Sequence, residues 1–207
     1  MNDNVNAALV LDLARITEAT PDAMTVLYAH LAAAAERDGI LDVAYRILDT
    51  PVGPLLLAAT EHGLVRVAYA SEDHDTVLQA LADKISPRIL QAPARLDAIA
   101  GQLDEYFAGA RRTFDAPLDW RLSSTGFRST VLHHLSDIDY GHTASYSAVA
   151  QLAGNPKAVR AVGSACATNP LPVVVPCHRV VRSDGTMGGY IGGPDAKRTL
   201  LTLEAAA

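Results

Sequence analysis

The rhythm of apolar and polar positions changes several times along the chain. Residues 1–40 are alanine-rich and predict two helices. Thr20-Pro21-Asp22 marks the start of the second, with a capping hydroxyl, a proline at the first helical position and an acid in the first turn. Gly39 is its expected stop. From Asp42 the pattern shifts to short apolar runs between turn residues. Residues 43–48, 55–60 and 64–69 read as strands, with 50–54 and 61–63 as turns, giving a meander of antiparallel strands. Helical spacing follows at 73–84 and 94–107, the latter closed by Gly109 and carrying Asp97, Asp104 and Glu105 on a solvated face. Residues 113–118 read as a linker.

Beyond the linker the pattern is helical again. Residues 126–138 predict one helix and 140–143 a turn. Two shorter helices, 145–152 and 157–166, are separated by Ala153-Gly154-Asn155-Pro156. Such a pair is the grammar of a helix-turn-helix. Then comes Asn169-Pro170-Leu171-Pro172-Val173-Val174-Val175-Pro176-Cys177-His178-Arg179-Val180. Val173 to Val175 predict a short buried strand-like segment, and Pro176 holds Cys177 at its end. Two readings of Cys177 stand at this point. It is a small buried hydrophobe, or a nucleophile whose proton is removed with the help of His178 and Glu204. Two ionisable neighbours, His178 and Arg179, count against a purely apolar setting.

Composition narrows the class. Hydrophobic residues make up 49% of the 207, yet aromatics only 5%, so Ala, Leu and Val must fill the core. No apolar run approaches the ~20 residues of a membrane span, and the start does not read as a secretory signal. Cys166 and Cys177 are too few for a disulfide framework or a four-thiolate zinc site. A soluble cytoplasmic protein with reduced thiols is expected, without metal or cofactor. The net charge is −6, but its distribution is uneven. Residues 1–40 carry two basic and six acidic groups, residues 41–120 seven and twelve, and residues 121–207 eight and five. The cationic part holds the candidate site, which suits a modest, salt-sensitive nucleic-acid face.

Pro176-Cys177-His178-Arg179-Val180 resembles the active-site signature of the methylated-DNA–protein-cysteine methyltransferases, the alkylguanine-DNA alkyltransferases. Asn169-Pro170-x-Pro172 upstream and Gly188-Gly189-Tyr190-Ile191-Gly192-Gly193 downstream fit the same pattern, and the similarity runs from about Asp42 to Glu204. The resemblance implies an α/β (α+β) fold. A small ribonuclease-H-like domain at 41–118 would be followed by a winged helix-turn-helix-like domain at 119–207, with 1–40 a helical extension lacking a counterpart. It implies repair of O6-methylguanine in double-stranded DNA, by a monomer, with irreversible transfer of the alkyl group to Cys177. O4-methylthymine is a second substrate the resemblance allows.

The resemblance also carries roles. His178 would reach Cys177 through a water, Glu204 would orient His178, and Asn169 would tie the recognition helix to the cysteine segment. Tyr146 would face N3 of the extruded guanine, where a donor stabilises the leaving purine. Arg160 would fill the gap left by the flipped base, and the small Ala158, Ala161 and Gly163 would let its helix enter the minor groove. The alternative reading of Arg160, weighed below the gap-filling role, is a phosphate-binding or salt-bridging arginine. Pro172, Tyr190 and Gly192 would wall the pocket. Carbonyls at Cys177 and Val180 would take the exocyclic amine, and the backbone N–H of Ile191 would take O6. Departures from the pattern are Ile191 in place of serine, Leu132 in place of tryptophan, Ala205 in place of glycine, and Cys166, read as a packing residue. Other classes weighed are a non-catalytic lesion-binding module, which lacks the acceptor cysteine, a zinc-bearing transcription regulator and a thiol hydrolase.

Overall fold

The computed structural model describes residues 21–205. The first helix expected within residues 1–40 lies outside the described residues. The chain divides into two compact units, residues 1–41 and 42–207. In the first, helix α1 (Pro21–Arg37) stops where expected. Gly39 takes φ +66°, and the amides of Gly39 and Ile40 return to the carbonyls of Glu36 and Ala35 at 3.2 and 2.9 Å.

The second unit opens on a four-stranded sheet. Strands β1 (Val43–Leu48), β2 (Leu55–Thr60) and β3 (Gly63–Tyr69) form the expected antiparallel meander. A fourth strand, β4 (Ile89–Gln91), pairs in parallel with β1, so the order is β3-β2-β1-β4. The sequence reading missed it, because a strand of three residues is too short to display a period of two. Helix α2 (His74–Lys84) connects the meander to this edge. It is capped by Asp73, whose carboxylate accepts the amide of Asp75. Val77 and Leu81 of α2 meet Val43, Leu56, Ala58, Val65 and Ala68 on one sheet face. The predicted helix 94–107 resolves into a 3-10 turn, Pro93–Leu96, and helix α3 (Asp97–Phe107). Ile99, Ala100, Leu103 and Tyr106 form its buried stripe.

The linker region ends by running along β3. The amide of Leu64 donates to the Pro117 carbonyl, and the amide of Asp119 to the Leu64 carbonyl, both at 2.8 Å. Leu64 and Leu118 form a parallel bridge. A Cβ on Gly63 would come 2.2 Å from the Pro117 oxygen, so only glycine fits there.

After this stitch come α4 (Phe127–Leu135), α5 (Tyr146–Leu152), α6 (Val159–Ala167) and α7 (Gly193–Ala205). Ser145 caps α5 by accepting the amide of Ala148 at 3.1 Å. The two residues of β5 (Ala144–Ser145) pair in parallel with β6 (Val180–Val181), which joins the start of α5 to the end of the cysteine segment.

One expectation is overturned. Val173 to Val175 form a turn, not a strand. Val173 sits at φ +73°, a strained position for a β-branched residue. The Val175 amide bonds the Leu171 carbonyl at 2.8 Å, and the Cys177 amide bonds the Val175 carbonyl at 2.8 Å across Pro176. A 3-10 turn, Cys177–Arg179, follows. The prolines at 172 and 176 remove two ladder donors, so the backbone is satisfied by turns. The residues from 171 to 180 are all buried, and that packing holds the strain.

Candidate active site

Glu204, on the buried stripe of α7, is the centre of a four-residue cluster. Its Oε1 accepts from the Tyr106 hydroxyl at 2.7 Å, from His178 Nε2 at 2.8 Å and from Arg179 Nη2 at 3.0 Å. Its Oε2 accepts from Arg179 Nε at 2.9 Å. Arg179 Nη1 donates to the Ile138 carbonyl at 2.6 Å. Burial alone would raise the Glu204 carboxyl, but the His178, Arg179 and Tyr106 donors hold it down at about 2. Glu204 is therefore an anion at any working pH.

His178 follows from that anchoring. Its Nε2–H points at Glu204, which leaves Nδ1 as the acceptor; Nδ1 is buried without a protein partner. Burial is the largest influence on the ring and lowers its proton affinity, against the pull of Glu204. The imidazole is thus neutral, with its free lone pair inside the protein.

Cys177 is 1% exposed. The Asn169 side-chain amide donates to its Sγ at 3.2 Å and to the Val175 carbonyl at 2.9 Å. The Asn169 oxygen takes the Leu171 amide at 3.0 Å. One side chain just past α6 therefore braces both the turn and the thiol. Burial pushes the thiol up to about 11, opposed by the Asn169 donor and the Lys197 ammonium. Lys197, fully buried, donates to the Val180 carbonyl at 2.6 Å. At rest the sulfur is a neutral thiol that needs a base.

The loop beside the cluster is fitted to its neighbours at glycines. A Cβ on Gly188 would lie 2.2 Å from the Tyr146 hydroxyl oxygen, and one on Gly192 would lie 2.5 Å from the Tyr69 ring. Tyr190 shares a 2.9 Å hydrogen bond with the Tyr69 hydroxyl and sets its ring edge-on to His178, centroids 6.2 Å apart.

Of the residues expected at the site, the structure joins Cys177 to Asn169 and His178 to Glu204, with Tyr190 against His178. Pro172 and Val180 are buried in the same segment, and Ile191 and Gly192 are half-buried in the loop. Arg160 stands exposed on α6, with Ala158, Ala161 and Gly163 half-buried around it, outside that network. Cys166 is buried with a free thiol. Among the described residues no cluster of His, Cys, Asp or Glu suits a metal ion.

Four participants escaped sequence reasoning: Arg179 as the second clamp on Glu204, Lys197, and two tyrosines of the first domain, Tyr69 and Tyr106. The region 41–118 also contributes to the site, since the Tyr106 phenol bonds Glu204 and the Tyr69 phenol bonds Tyr190. A signal did exist for Tyr106. A tyrosine at a fully buried helix position needs a partner for its hydroxyl, where phenylalanine would not.

Residues 43–120 fit the family model described as 6-O-methylguanine DNA methyltransferase, ribonuclease-like domain, and residues 126–206 fit its DNA binding domain. The chain belongs to this methyltransferase family. It is 40% identical over 165 residues to the methylated-DNA–protein-cysteine methyltransferase of Mycobacterium bovis, covering 78% of this chain and 92% of that one. The constitutive enzyme of Bacillus subtilis is 39% identical over 165 residues, with 77% and 94% covered. The crystal structure of Mycobacterium tuberculosis O6-methylguanine methyltransferase superposes with a TM-score of 0.69 at 37% identity, covering 79% of this chain and 93% of that chain. The same Mycobacterium tuberculosis protein in complex with DNA matches equally. The expected mixed fold, a ribonuclease-like domain followed by a DNA-binding domain, holds.

Proposed function

We propose that the protein repairs alkylated DNA by moving an alkyl group, chiefly methyl, from O6 of guanine to Cys177, once per molecule. The observation that carries this reading is the buried Cys177 thiol, braced by Asn169 next to a His178 whose Nδ1 is unpartnered and whose Nε2 is tied to Glu204. A thiol held up at about 11 cannot attack as it stands. The proton passes to His178 Nδ1 through a bridging water, and Glu204 stabilises the imidazolium that results. The thiolate then attacks the alkyl carbon, an S–C bond forms as the C–O6 bond breaks, and the electron pair leaves on the purine. The proton taken from sulfur balances the one that guanine regains. The thioether is not hydrolysed, so the protein is consumed.

The base must leave the helix stack to reach a sulfur this deep. Arg160, exposed among small residues on α6, takes its place from the minor-groove side. Pro172, Tyr190 and Gly192 wall the pocket, carbonyls of Cys177 and Val180 take the exocyclic amine, and the Ile191 amide takes O6. Tyr146 supplies a donor to the purine ring. O4-methylthymine is a second substrate on the same grounds. The partner is duplex DNA, the protein acts as a monomer, and the compartment is a reducing one, the cytoplasm. Among the described residues no helix is long and apolar enough to cross a membrane.

Intact-mass spectrometry after incubation with an O6-methylguanine duplex tests the reading. One added methyl is expected, mapping to the peptide that contains Cys177. An unmodified protein beside a repaired base, or a methyl on another residue, would overturn it.

A further inference from the structure

Two separate stretches adjoin the Cys177–His178 pair: residues 169–172, whose Asn169 donates to the Cys177 sulfur, and the loop 188–193, whose Tyr190 sets its ring edge-on to His178. Both are held by one short piece of the first domain, the end of β3. On the first side, the Val67 amide and Arg66 Nη1 both donate to the Pro170 carbonyl, at 2.9 and 3.2 Å. Arg66 is paired through Nη2 with Glu72. Glu72 Oε1 in turn accepts the Tyr69 amide at 3.0 Å. On the second side, the Tyr69 hydroxyl meets the Tyr190 hydroxyl, and the Tyr69 ring lies flush on Gly192, where no Cβ fits. Pro170, Arg66, Glu72, Tyr69 and Tyr190 thus form one continuous polar strut from wall to wall. Tyr69 is 3% exposed, and its hydroxyl has Tyr190 as its hydrogen-bond partner.

Beside the strut lies a cleft of about 370 Å³ lined by Arg66, Glu72, Asn169, Pro170 and Ile191. The half-buried loop side therefore has room to shift, and hydrogen bonding through β3 ties it to the buried side. A methyl group needs little space above the sulfur. A larger one needs more, and the loop beside His178 is held by the Tyr69–Tyr190 hydrogen bond.

Resting on the alkyl-transfer reading above, we propose that Tyr69 is a positioning residue that sets the alkyl size accepted at Cys177, by tying the Tyr190 loop to β3. The loop bends outward for a bulky group only when the Tyr69–Tyr190 bond opens, so the bond selects for small groups.

The test compares transfer rates from O6-benzylguanine and O6-methylguanine placed in the same duplex. In Tyr69→Phe, which keeps the ring against Gly192 and loses only the hydroxyl, the benzyl-to-methyl rate ratio should rise about tenfold, the scale of one neutral hydrogen bond. Tyr190→Phe should raise it equally, and the double variant no further, because one bond is shared. A ratio unchanged in Tyr69→Phe, whether or not both rates fall together, overturns the proposal. So does a ratio that responds to Tyr190→Phe alone. If the unaltered protein fails to take methyl onto Cys177, the parent reading falls, an outcome separate from an unchanged ratio.

Discussion

The cysteine segment and the outer face of α6 sit in the same domain, only a few residues apart, and are built on opposite terms. From 171 to 180 every residue is buried, and almost every polar atom of the cluster has a partner. Arg160 and its neighbours on α6 are exposed or half-exposed, among small residues. The first region is over-determined by the fold, while the second is left open for something outside the chain. The first suits the proton transfer proposed for Cys177 and His178, and the second suits the DNA contact proposed for Arg160. Stability and activity should therefore respond differently to substitution in the two places.

The largest effect tests the buried side. Cys177→Ser should reduce alkyl transfer by on the order of 10³-fold or more, while lesion-containing duplex is still bound in a gel-shift titration. Retained transfer would move the acceptor elsewhere. Glu204→Gln comes next, because it leaves Arg179 buried without its counter-charge. Urea unfolding should report a loss of about 3–5 kcal/mol.

Acid sharpens the same point. A carboxyl held at about 2 contributes stability above its unfolded value and loses it as pH falls from about 4.5 towards 2. His178, lowered by burial, adds a loss that begins below its unfolded value near 6.5. In Glu204→Gln the lower of these two phases should disappear from the pH–stability curve; its persistence would show that other carboxylates carry it. Smaller still, Tyr106→Phe removes one donor of several and should destabilise by about 1–2 kcal/mol, read from the shift in denaturation midpoint.

The exposed side gives the smallest change in stability. Arg160→Ala should leave stability within about 0.5 kcal/mol, yet slow repair in duplex DNA far more than reaction with the free modified base. Should Arg160→Ala destabilise the fold as Glu204→Gln does, the contrast between the two regions collapses.

Much of the fold was legible because local rules were obeyed. The strands at 43–69 follow apolar runs broken by Gly and Pro, and Asp73, Ser145 and Gly39 act where helix ends need them. Cys177, His178 and Glu204 were legible as a constellation through their chemistry. The turn at Val173 was not, because three valines argue for a strand, and only the surrounding burial overrides that preference. Tyr106 and Glu204 stand 98 residues apart in sequence, and no periodicity encodes such a pairing. Tyr69 hid for the same reason, at the end of a strand whose other apolar residues simply fill the core.

The bridge between Leu64 and Leu118 has a mechanical consequence. A connector that borrows backbone bonds from a sheet edge, over a glycine with no clearance, cannot swivel. The two halves of the repair unit should travel as one piece when they meet a duplex. On the proposed base-flipping reading, a small local yielding near the sulfur would then admit the base, rather than a jaw opening between domains.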